Sequence, residues 1–297
     1  MIETFKSLLF AIVICSFSSC GQKEIIPSNA TPQLLSDEFQ FTEGPAADSE
    51  GNIFFTDQPN DRIYKWSADS GEISLWMENT GRANGLYFDN KGNLISCSDE
   101  NSELWEIDPD RNVKVILEDI NGKRMNGPND LWIDEKGGIY FTDPYYQRAY
   151  WNRKEPDLES KNVYYLSPDR SKVRVVAQNF VQPNGIIGSA DKALLYISDI
   201  GSGKTYSYKI MQDGSLTDKE LFVEMGSDGM TLDERGNVYL TGKGVTIFDE
   251  KGSKIANIPV DQDWTANVTF GGQNNKTLFI TASKAIYKLD MNVQGAN

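Results

Sequence analysis

Short apolar segments alternate with glycine-containing turns along most of this chain. One unit, residues 126–143, shows the arrangement: the polar pair Asn129 and Asp130, a three-residue apolar segment, a turn from Asp134 to Gly137, and a second apolar segment. Short apolar segments bounded by Asp-x-x-Gly turns are typical of paired β-strands. The unit therefore predicts two strands joined by a tight turn, with a polar side chain opening the first.

The same unit occurs six times. Each copy begins with a residue that carries a side-chain oxygen, and these opening residues are Glu43, Asn84, Asn129, Asn184, Asp228 and Asn267. Successive opening residues are 41, 45, 55, 44 and 39 residues apart. A period of about 40 to 45 residues, built from short strands and glycine-rich turns, is typical of four-stranded β-propeller blades. Six copies predict an all-β fold, a six-bladed β-propeller whose six opening residues converge on the central channel.

The segment before the first copy predicts how the ring closes. Residues 33–41 are expected to form an N-terminal strand that closes the last blade beside that blade's own three strands, which removes an open sheet edge. We therefore assign residues 33–297 to the propeller. Residues 21–32 are polar and lack periodicity, and we assign them to a tether.

Residues 1–20 have the features of an export signal. Lys6 precedes an apolar run, residues 8–14, that is too short for a stable membrane span. The small residues before Cys20 resemble a bacterial lipobox, in which the cysteine becomes lipidated. We expect a lipoprotein of the bacterial cell envelope that faces the periplasm or the outside, and the alternative is secretion to the periplasm. Membrane contact is expected only through this lipid anchor.

Composition excludes several classes of function. The net charge of −14 argues against binding to nucleic acid, which requires a basic face. The chain has no histidine, which excludes Ser-His-Asp triads, Cys-His pairs and His-ligated zinc. Cys97 lies alone in an apolar segment, so it is expected to be a small core residue. We expect a monomer that acts on a small molecule.

The opening residues have two interpretations. Pairs such as Asn84-Gly85 are common in tight turns, and any one of them alone favours a turn. Their recurrence at the same point of every copy, ahead of a separate turn, favours a shared role. A ring of amide oxygens with two carboxylates is typical of a site for a hard divalent cation, and calcium is the expected ion.

Such an ion could have either of two roles. It could pin the blades together, or it could lie exposed at the channel mouth and polarise an ester carbonyl. For the second role Asp228 is the candidate base and Glu43 is the anionic ligand on the opposite side. The spacing alone allows these two roles to be exchanged.

The third copy is the longest, exceeding the first by 14 residues (55 − 41). The excess lies within residues 145–160, which contain four aromatic residues, Tyr145, Tyr146, Tyr150 and Trp151. Because this segment follows a second strand, we expect a loop on one face of the ring. It could form the wall of a substrate pocket, or it could be a packed surface loop.

Several motifs resemble those of the family of gluconolactonases, regucalcin (senescence marker protein) and luciferin-regenerating enzyme, whose members are six-bladed propellers. The matching segments occur in family order and are residues 43–45, 122–130, 140–144, 183–185, 228–230 and 270–272. The Lys-Arg-x-Asn-x-Pro-Asn-Asp stretch is most similar to bacterial gluconolactonases. The resemblance implies a divalent metal, usually calcium, held by Glu43, Asn184 and Asp228, with Asp228 as the base or water activator.

The resemblance also concerns the substrate. It places Asn129 beside metal and substrate, and we add Asn84 and Tyr145 as substrate-binding candidates. Regucalcin-type members carry a substrate-binding arginine where this chain has Gly127. Arg124 or Arg148 could replace it, and Arg124 is the candidate chosen here.

Further acids end the second strands of four copies, and we interpret them as structural turn residues. They are Asp57, Asp99, Asp143 and Asp199. Gluconolactonases often have a histidine in the loop that begins with Asp99 here, so substrate identity is the open point.

The expected function is metal-dependent hydrolysis of a sugar lactone to the corresponding aldonic acid. The alternative is a non-catalytic propeller that binds a sugar acid or a protein and keeps calcium as a structural ion. A related lyase or ester hydrolase on the same scaffold is a third possibility. An enzyme needs an open coordination site that faces a pocket, whereas protein ligands would close a structural site.

Overall fold

The computed structural model describes residues 24–296, which form six four-stranded antiparallel sheets. The first strands of neighbouring blades contact each other in a closed cycle around the molecule, so they are the innermost strands. The predicted six-bladed propeller is confirmed. Within the described residues the one helical element is a 3₁₀ turn, Gln58–Asn60.

Blades one to three follow each other along the chain, and each contributes four consecutive strands. Their bounds are β2 Thr42–Ala47, β3 Ile53–Asp57, β4 Arg62–Trp66 and β5 Ile73–Glu78 in blade one; β6 Ala83–Phe88, β7 Leu94–Ser98, β8 Glu103–Ile107 and β9 Val113–Leu117 in blade two; and β10 Leu131–Ile133, β11 Ile139–Asp143, β12 Asn162–Leu166 and β13 Val173–Ala177 in blade three.

Blades four and five repeat this order, and blade six combines the two ends of the chain. The bounds are β14 Pro183–Ser189, β15 Leu194–Asp199, β16 Lys204–Ile210 and β17 Leu216–Val223 in blade four; β18 Met230–Leu232, β19 Val238–Gly242, β20 Gly244–Phe248 and β21 Lys254–Ile258 in blade five; and β22 Asn267–Gly271, β23 Thr277–Ala282, β24 Ala285–Asp290 and β1 Gln33–Ser36 in blade six.

The N-terminal strand closes the ring as predicted. β1 pairs antiparallel with β24 and places Leu34 opposite Tyr287. The strand ends at Ser36, earlier than expected, because the chain then turns inward and packs Phe39 edge-on against the ring of Phe55. The edge of β24 is thereby covered within the molecule.

Part of the predicted tether also contacts the propeller. Ile25, Ile26 and Ala30 are partly buried against the apolar cluster of the last blade, and the Asn292 N–H donates to the carbonyl oxygen of Ile25 at 3.0 Å. This part of the predicted tether is therefore held against the last blade, because the two isoleucines remove apolar surface from water there. The predicted export signal with Cys20, and tether residues 21–23, lie outside the described residues. Among residues 24–296 no helix is long and apolar enough to cross a membrane.

The Asp-x-x-Gly turns join first and second strands as the sequence predicts. The Asp134 carboxylate accepts N–H groups of Lys136 and Gly138 at 2.9 and 2.8 Å, and the Gly137 N–H donates to the Asp134 carbonyl at 2.8 Å. Because one carboxylate satisfies two backbone donors, the turn can leave the sheet without unpaired polar groups.

Apolar side chains fill the spaces between blades. Phe55 of β3 and Phe279 of β23 pack with ring centroids 5.6 Å apart, which joins blade one to blade six. Cys97 is fully buried in the apolar cluster shared by blades two and three, which confirms its predicted place in the core. Burial raises the pKa of its thiol well above the ordinary value.

The innermost strands approach each other closely at the channel. β2 has a bulge between Glu43 and Ala46, and Gly44 within it has a φ of +45°. A Cβ atom at Gly44 would lie 2.0 Å from the carbonyl oxygen of Asn84 in the next blade. The glycine after this opening residue therefore serves close packing inside a strand.

Candidate active site

The six opening residues lie at one end of the innermost strands, around one mouth of the channel. Asp228 is half-buried. The other five are buried, and they are Glu43, Asn84, Asn129, Asn184 and Asn267. The side-chain amides of Asn84 and Asn129 make no hydrogen bond to any residue in the described range 24–296. Two buried amides are thus available to a ligand at this mouth.

The two acids of the ring interact although they come from blades one and five. Burial, followed by the charge of Asp228, raises the pKa of Glu43 well above its ordinary value. The Gly44 N–H opposes this by donating to Oε2 of Glu43 at 3.0 Å. Burial also raises the pKa of Asp228 to about 6. The charge of Asp228 thus disfavours ionisation of Glu43, and a bound cation would relieve that repulsion.

Three polar groups hold Asp228 in its ionised form. The indole nitrogen of Trp264 donates to Oδ2 of Asp228 at 2.6 Å. This bond, a hydrogen bond from Asn184 and the charge of Arg148 each lower the pKa of Asp228 against the effect of burial. The side chain is therefore anchored while it remains able to titrate near neutral pH.

Asn184 connects Asp228 to the long loop of blade three, residues 145–160. Its amide nitrogen donates to the phenol oxygen of Tyr146 at 2.9 Å. Because this bond fixes the amide orientation, the side-chain oxygen of Asn184 is the group left to bind a ligand.

Asp130 lies beside the opening residue Asn267, where the channel continues away from the mouth. The Asn267 amide nitrogen lies 3.5 Å from Oδ2 of Asp130, and a hydrogen bond from Asn267 also lowers the pKa of Glu43. Asp130 and Asn267 belong to the lining of a channel cavity of about 680 Å³ that extends towards the opposite face. Burial raises the pKa of Asp130 to about 7.

The donor set fits a hard divalent cation. Glu43 and Asp228 supply carboxylate oxygens and Asn184 supplies an amide oxygen, which are the ligand types that calcium prefers. Within the described residues no three acidic, cysteine or histidine side chains converge as a metal-binding group. A cation at this mouth would therefore need amide and solvent oxygens in addition to the two carboxylates.

The long loop of blade three places its aromatic residues differently from expectation. Tyr146 accepts a hydrogen bond from Asn184, one of the six opening residues. Tyr145, the residue predicted to bind substrate, instead packs against the aromatic ring of Trp151 with centroids 5.7 Å apart. Trp151 is buried beneath the loop, as the prediction of a packed surface loop requires, while Tyr146 reaches the channel mouth.

The two candidate arginines also differ in position. Arg124, the chosen candidate, is exposed and makes no hydrogen bond or ion pair within residues 24–296. Arg148 is half-buried, and its Nε lies 3.0 Å from Oδ2 of Asp99. The structure therefore places Arg148, rather than Arg124, near Asp99 and Asp228.

A family model described as the SMP-30/gluconolactonase/LRE-like region matches residues 41–284. The chain belongs to this family. The match begins just before Glu43 and includes all six opening residues, so the ring at the channel mouth lies wholly within the family domain.

Individual relatives agree with this assignment. A gluconolactonase of Zymomonas mobilis is 28% identical over 293 residues, covering 88% of this chain and 81% of that protein. A solved gluconolactonase of Xanthomonas campestris superimposes with a TM-score of 0.83 at 28% identity, covering 89% of this chain and 90% of the other. A structure of regucalcin from Agrobacterium tumefaciens, described as a calcium-binding protein, has a TM-score of 0.76 at 18% identity over 90% and 95% of the two chains, which shows a shared fold.

In this SMP-30/gluconolactonase/LRE-like domain, three of the four acids that end second strands act as predicted. Each accepts two consecutive backbone N–H groups from the loop that leads into its own blade's opening residue. The pairs are Gln40 and Phe41 on Asp57, Asn126 and Gly127 on Asp143, and Val181 and Gln182 on Asp199. Asp99 differs, because its carboxylate binds Arg148 and Tyr150 of the blade-three loop instead.

Sequence reasoning missed three residues of this site: Tyr146, Trp264 and Asp130. A signal existed for Asp130, since glycine follows the opening residue in four copies and Asp130 occupies that position in the third. Nothing in the local sequence distinguishes Tyr146 from Tyr145, or marks Trp264 as a partner of Asp228.

Proposed function

We propose that this protein is a lactonase that hydrolyses a sugar lactone to the corresponding aldonic acid with the help of a divalent metal ion. The observation that carries the proposal is the channel mouth, where Glu43 and Asp228 lie at one polar site with the buried amides of Asn84 and Asn129, which have no hydrogen-bond partner within residues 24–296. The relatives named as gluconolactonases support this reaction and this class of substrate.

Glu43, Asn184 and Asp228 are the residues that would hold the ion, and calcium is the expected one. When bound, a divalent cation supplies Lewis-acid polarisation of the lactone carbonyl. The donors are hard oxygens without histidine or thiolate, which favours calcium over zinc. The regucalcin structure of the same fold, which is described as a calcium-binding protein, supports the same choice.

The protein's own residues handle the proton and the substrate orientation. Asp228, with a pKa of about 6, is ionised at neutral pH and accepts a proton from the attacking water. As the ring C–O bond breaks, the same carboxyl returns a proton to the leaving ring oxygen, so that one lactone and one water give one hydroxy acid. Asn84 and Asn129 donate amide N–H groups to substrate oxygens in this proposal.

A panel of lactones tests this proposal. Purified protein is assayed with sugar lactones such as glucono-δ-lactone, with chelator and with added calcium, while thermal unfolding is followed in parallel. Metal-dependent turnover by a protein that stays folded after chelation is the expected result. Absence of turnover on every lactone, together with a large calcium-dependent rise in Tm, would instead indicate a binding propeller with a structural ion.

We also propose export and lipid anchoring through Cys20, on the basis of the apolar run and the small residues before this cysteine. Mass spectrometry of the mature N-terminus, and fractionation of cells that express the Cys20→Ala variant, test it. A mature protein that starts elsewhere and carries no lipid contradicts the anchor. A free protein in the periplasm would support the secreted alternative.

A further inference from the structure

The blade-three loop fills the space that a longer side chain at position 127 would need. Gly127 has a φ of +145°, and a Cβ atom there would lie 3.0 Å from both Oδ1 of Asp99 and the ring of Trp151. The backbone conformation and the crowding both require glycine. Any cationic group on this side of the mouth must therefore come from another segment.

The Asp99 carboxylate can bind side chains of the blade-three loop because Asp61 accepts the backbone N–H groups that Asp99 was expected to accept. In blade two the N–H groups of Thr80 and Arg82, just before the opening residue Asn84, donate to Asp61 of blade one at 2.8 and 2.7 Å. Asp99 is thereby left to bind side chains. It is buried, and it accepts the Nε–H of Arg148 at 3.0 Å together with the hydroxyl of Tyr150.

These contacts hold Arg148 at the channel mouth and leave part of its guanidinium group without a hydrogen bond within residues 24–296. The guanidinium lies over the ring of Tyr146 at 5.5 Å, and Tyr146 in turn binds Asn184 of the ring. Its Nε is occupied by Asp99, whereas its two terminal nitrogens make no hydrogen bond within residues 24–296. The side chain is 25% exposed, so it remains accessible to a ligand.

We propose that Arg148, positioned by Asp99, binds the hydroxyl oxygens of the lactone and makes the enzyme prefer hydroxylated lactones over unsubstituted ones. This inference rests on the proposed lactonase function and names its specificity-determining residue. The terminal nitrogens form a planar set of donors that suits adjacent oxygens. Because Asp99 compensates the charge of Arg148, the pair suits a neutral polyhydroxylated ligand better than an anionic one.

Steady-state kinetics of Arg148→Met test the proposal. The substrate is the sugar lactone that the wild-type protein turns over fastest, and δ-valerolactone, which has a lactone ring without hydroxyls, is measured as substrate or as competitive inhibitor. We expect kcat/KM for the sugar lactone to fall about 10-fold to 100-fold, mainly through KM, as is typical when a charged hydrogen-bond donor is lost. The affinity ratio between the two lactones should fall with it.

Two further variants act as controls. Arg62→Met removes an arginine that pairs with Glu78 on the outer strands of blade one, and it should keep the wild-type KM. Arg148→Lys retains one charged donor but loses the planar set, so it should recover only part of the affinity. Thermal unfolding of each variant shows whether the loop remains folded.

Asp99→Asn tests the positioning role. It should raise KM in the same direction, and combining it with Arg148→Met should add little to the effect of Arg148→Met alone, because both changes affect one interaction. Independent effects that add fully would contradict the positioning role.

The outcomes separate this inference from the proposed function. An active wild-type protein whose Arg148→Met and Arg148→Lys variants keep the wild-type KM and lactone preference overturns the inference. Equal losses on both lactones with a lowered Tm also overturn it, since they indicate a purely structural role. A wild-type protein that is inactive on every lactone contradicts the proposed function itself, and the inference fails with it.

Discussion

The indole nitrogen of Trp264 donates a 2.6 Å hydrogen bond to Oδ2 of Asp228, the proposed base. Trp264 lies in the segment between β21 and β22, so the partner of a residue in blade five comes from the connection to blade six. Burial raises the pKa of Asp228, and this hydrogen bond is the first of the interactions that lower it again. The indole therefore helps to set the pH at which the base becomes ionised.

Trp264→Phe should move the acidic limb of the pH–rate profile to higher pH. Loss of the indole donor raises the pKa of Asp228 from about 6, and a hydrogen bond to a charged group corresponds to about one pKa unit. The measurement is kcat against pH at saturating substrate and calcium. Trp76→Phe, on the outer strand β5, is the matched control, and an unshifted profile for Trp264→Phe contradicts the assignment.

Asp228→Asn should lower kcat by a factor of about 10² to 10⁴, which is the range typical for loss of a general base. The assay uses saturating calcium, so that weaker metal binding does not limit the rate. Asp263→Asn replaces an exposed acid in the segment next to Trp264 and should keep wild-type turnover. If Asp228→Asn retains wild-type kcat with metal bound, another group is the base.

Calcium should stabilise the protein more at pH 8 than at pH 5. Burial raises the pKa of Asp228 to about 6 and that of Glu43 well above its ordinary value. The folded metal-free protein therefore binds more protons than the unfolded chain, and its stability falls as pH rises through the interval between the unfolded and folded pKa values. A cation needs the ionised carboxylates, so its contribution grows over the same interval.

The measurement is Tm with calcium and with chelator at both pH values. Glu43→Gln should lose most of the calcium-dependent rise in Tm while the metal-free protein stays folded, because the change removes a buried charge. Equal calcium-dependent shifts at pH 5 and pH 8 would show that these two carboxylates are not the ligands.

Tyr146→Phe should weaken calcium binding by up to about 10-fold, the lower end of the range for groups that orient metal ligands. The phenol oxygen accepts the Asn184 N–H at 2.9 Å, and its loss lets the Asn184 amide rotate. Calcium titration followed by calorimetry measures the change. Tyr145→Phe is the matched control, since its hydroxyl donates to the exposed Gln147, and equal effects of both variants would contradict the different roles of these neighbours.

A chain that begins at Asp37 should have a Tm lower by more than about 5 °C than a chain that begins at Glu24. The shorter chain lacks β1, so the backbone groups of β24 lose their partners and form an open edge. Thermal unfolding and size-exclusion chromatography report stability and association. Indistinguishable Tm values would show that β1 contributes little to closing the ring.

The sequence by itself determined the architecture, because the signals for it are local and repeated. The turn from Asp134 to Gly137 has copies along the chain, and each is specified by residues within five positions of one another. A fixed period then forces equivalent positions to one axis, which is why Glu43 and Asp228 could be assigned to opposite sides of one site although they belong to different blades. Closure by an N-terminal strand, predicted for residues 33–41 and found at Gln33–Ser36, followed from the need to cover a sheet edge.

Only the tertiary structure decided which side chains of the loops complete the site. Tyr146 reaches Asn184 across 38 residues of sequence, and Arg148 reaches Asp99 across 49. Such pairs depend on the conformation of one inserted loop and on the packing of Trp151 beneath it, for which the sequence has no repeat to compare. The sequence also hides that Asp61, rather than Asp99, accepts the loop N–H groups before Asn84, because this depends on a contact between two blades rather than on a pattern within one.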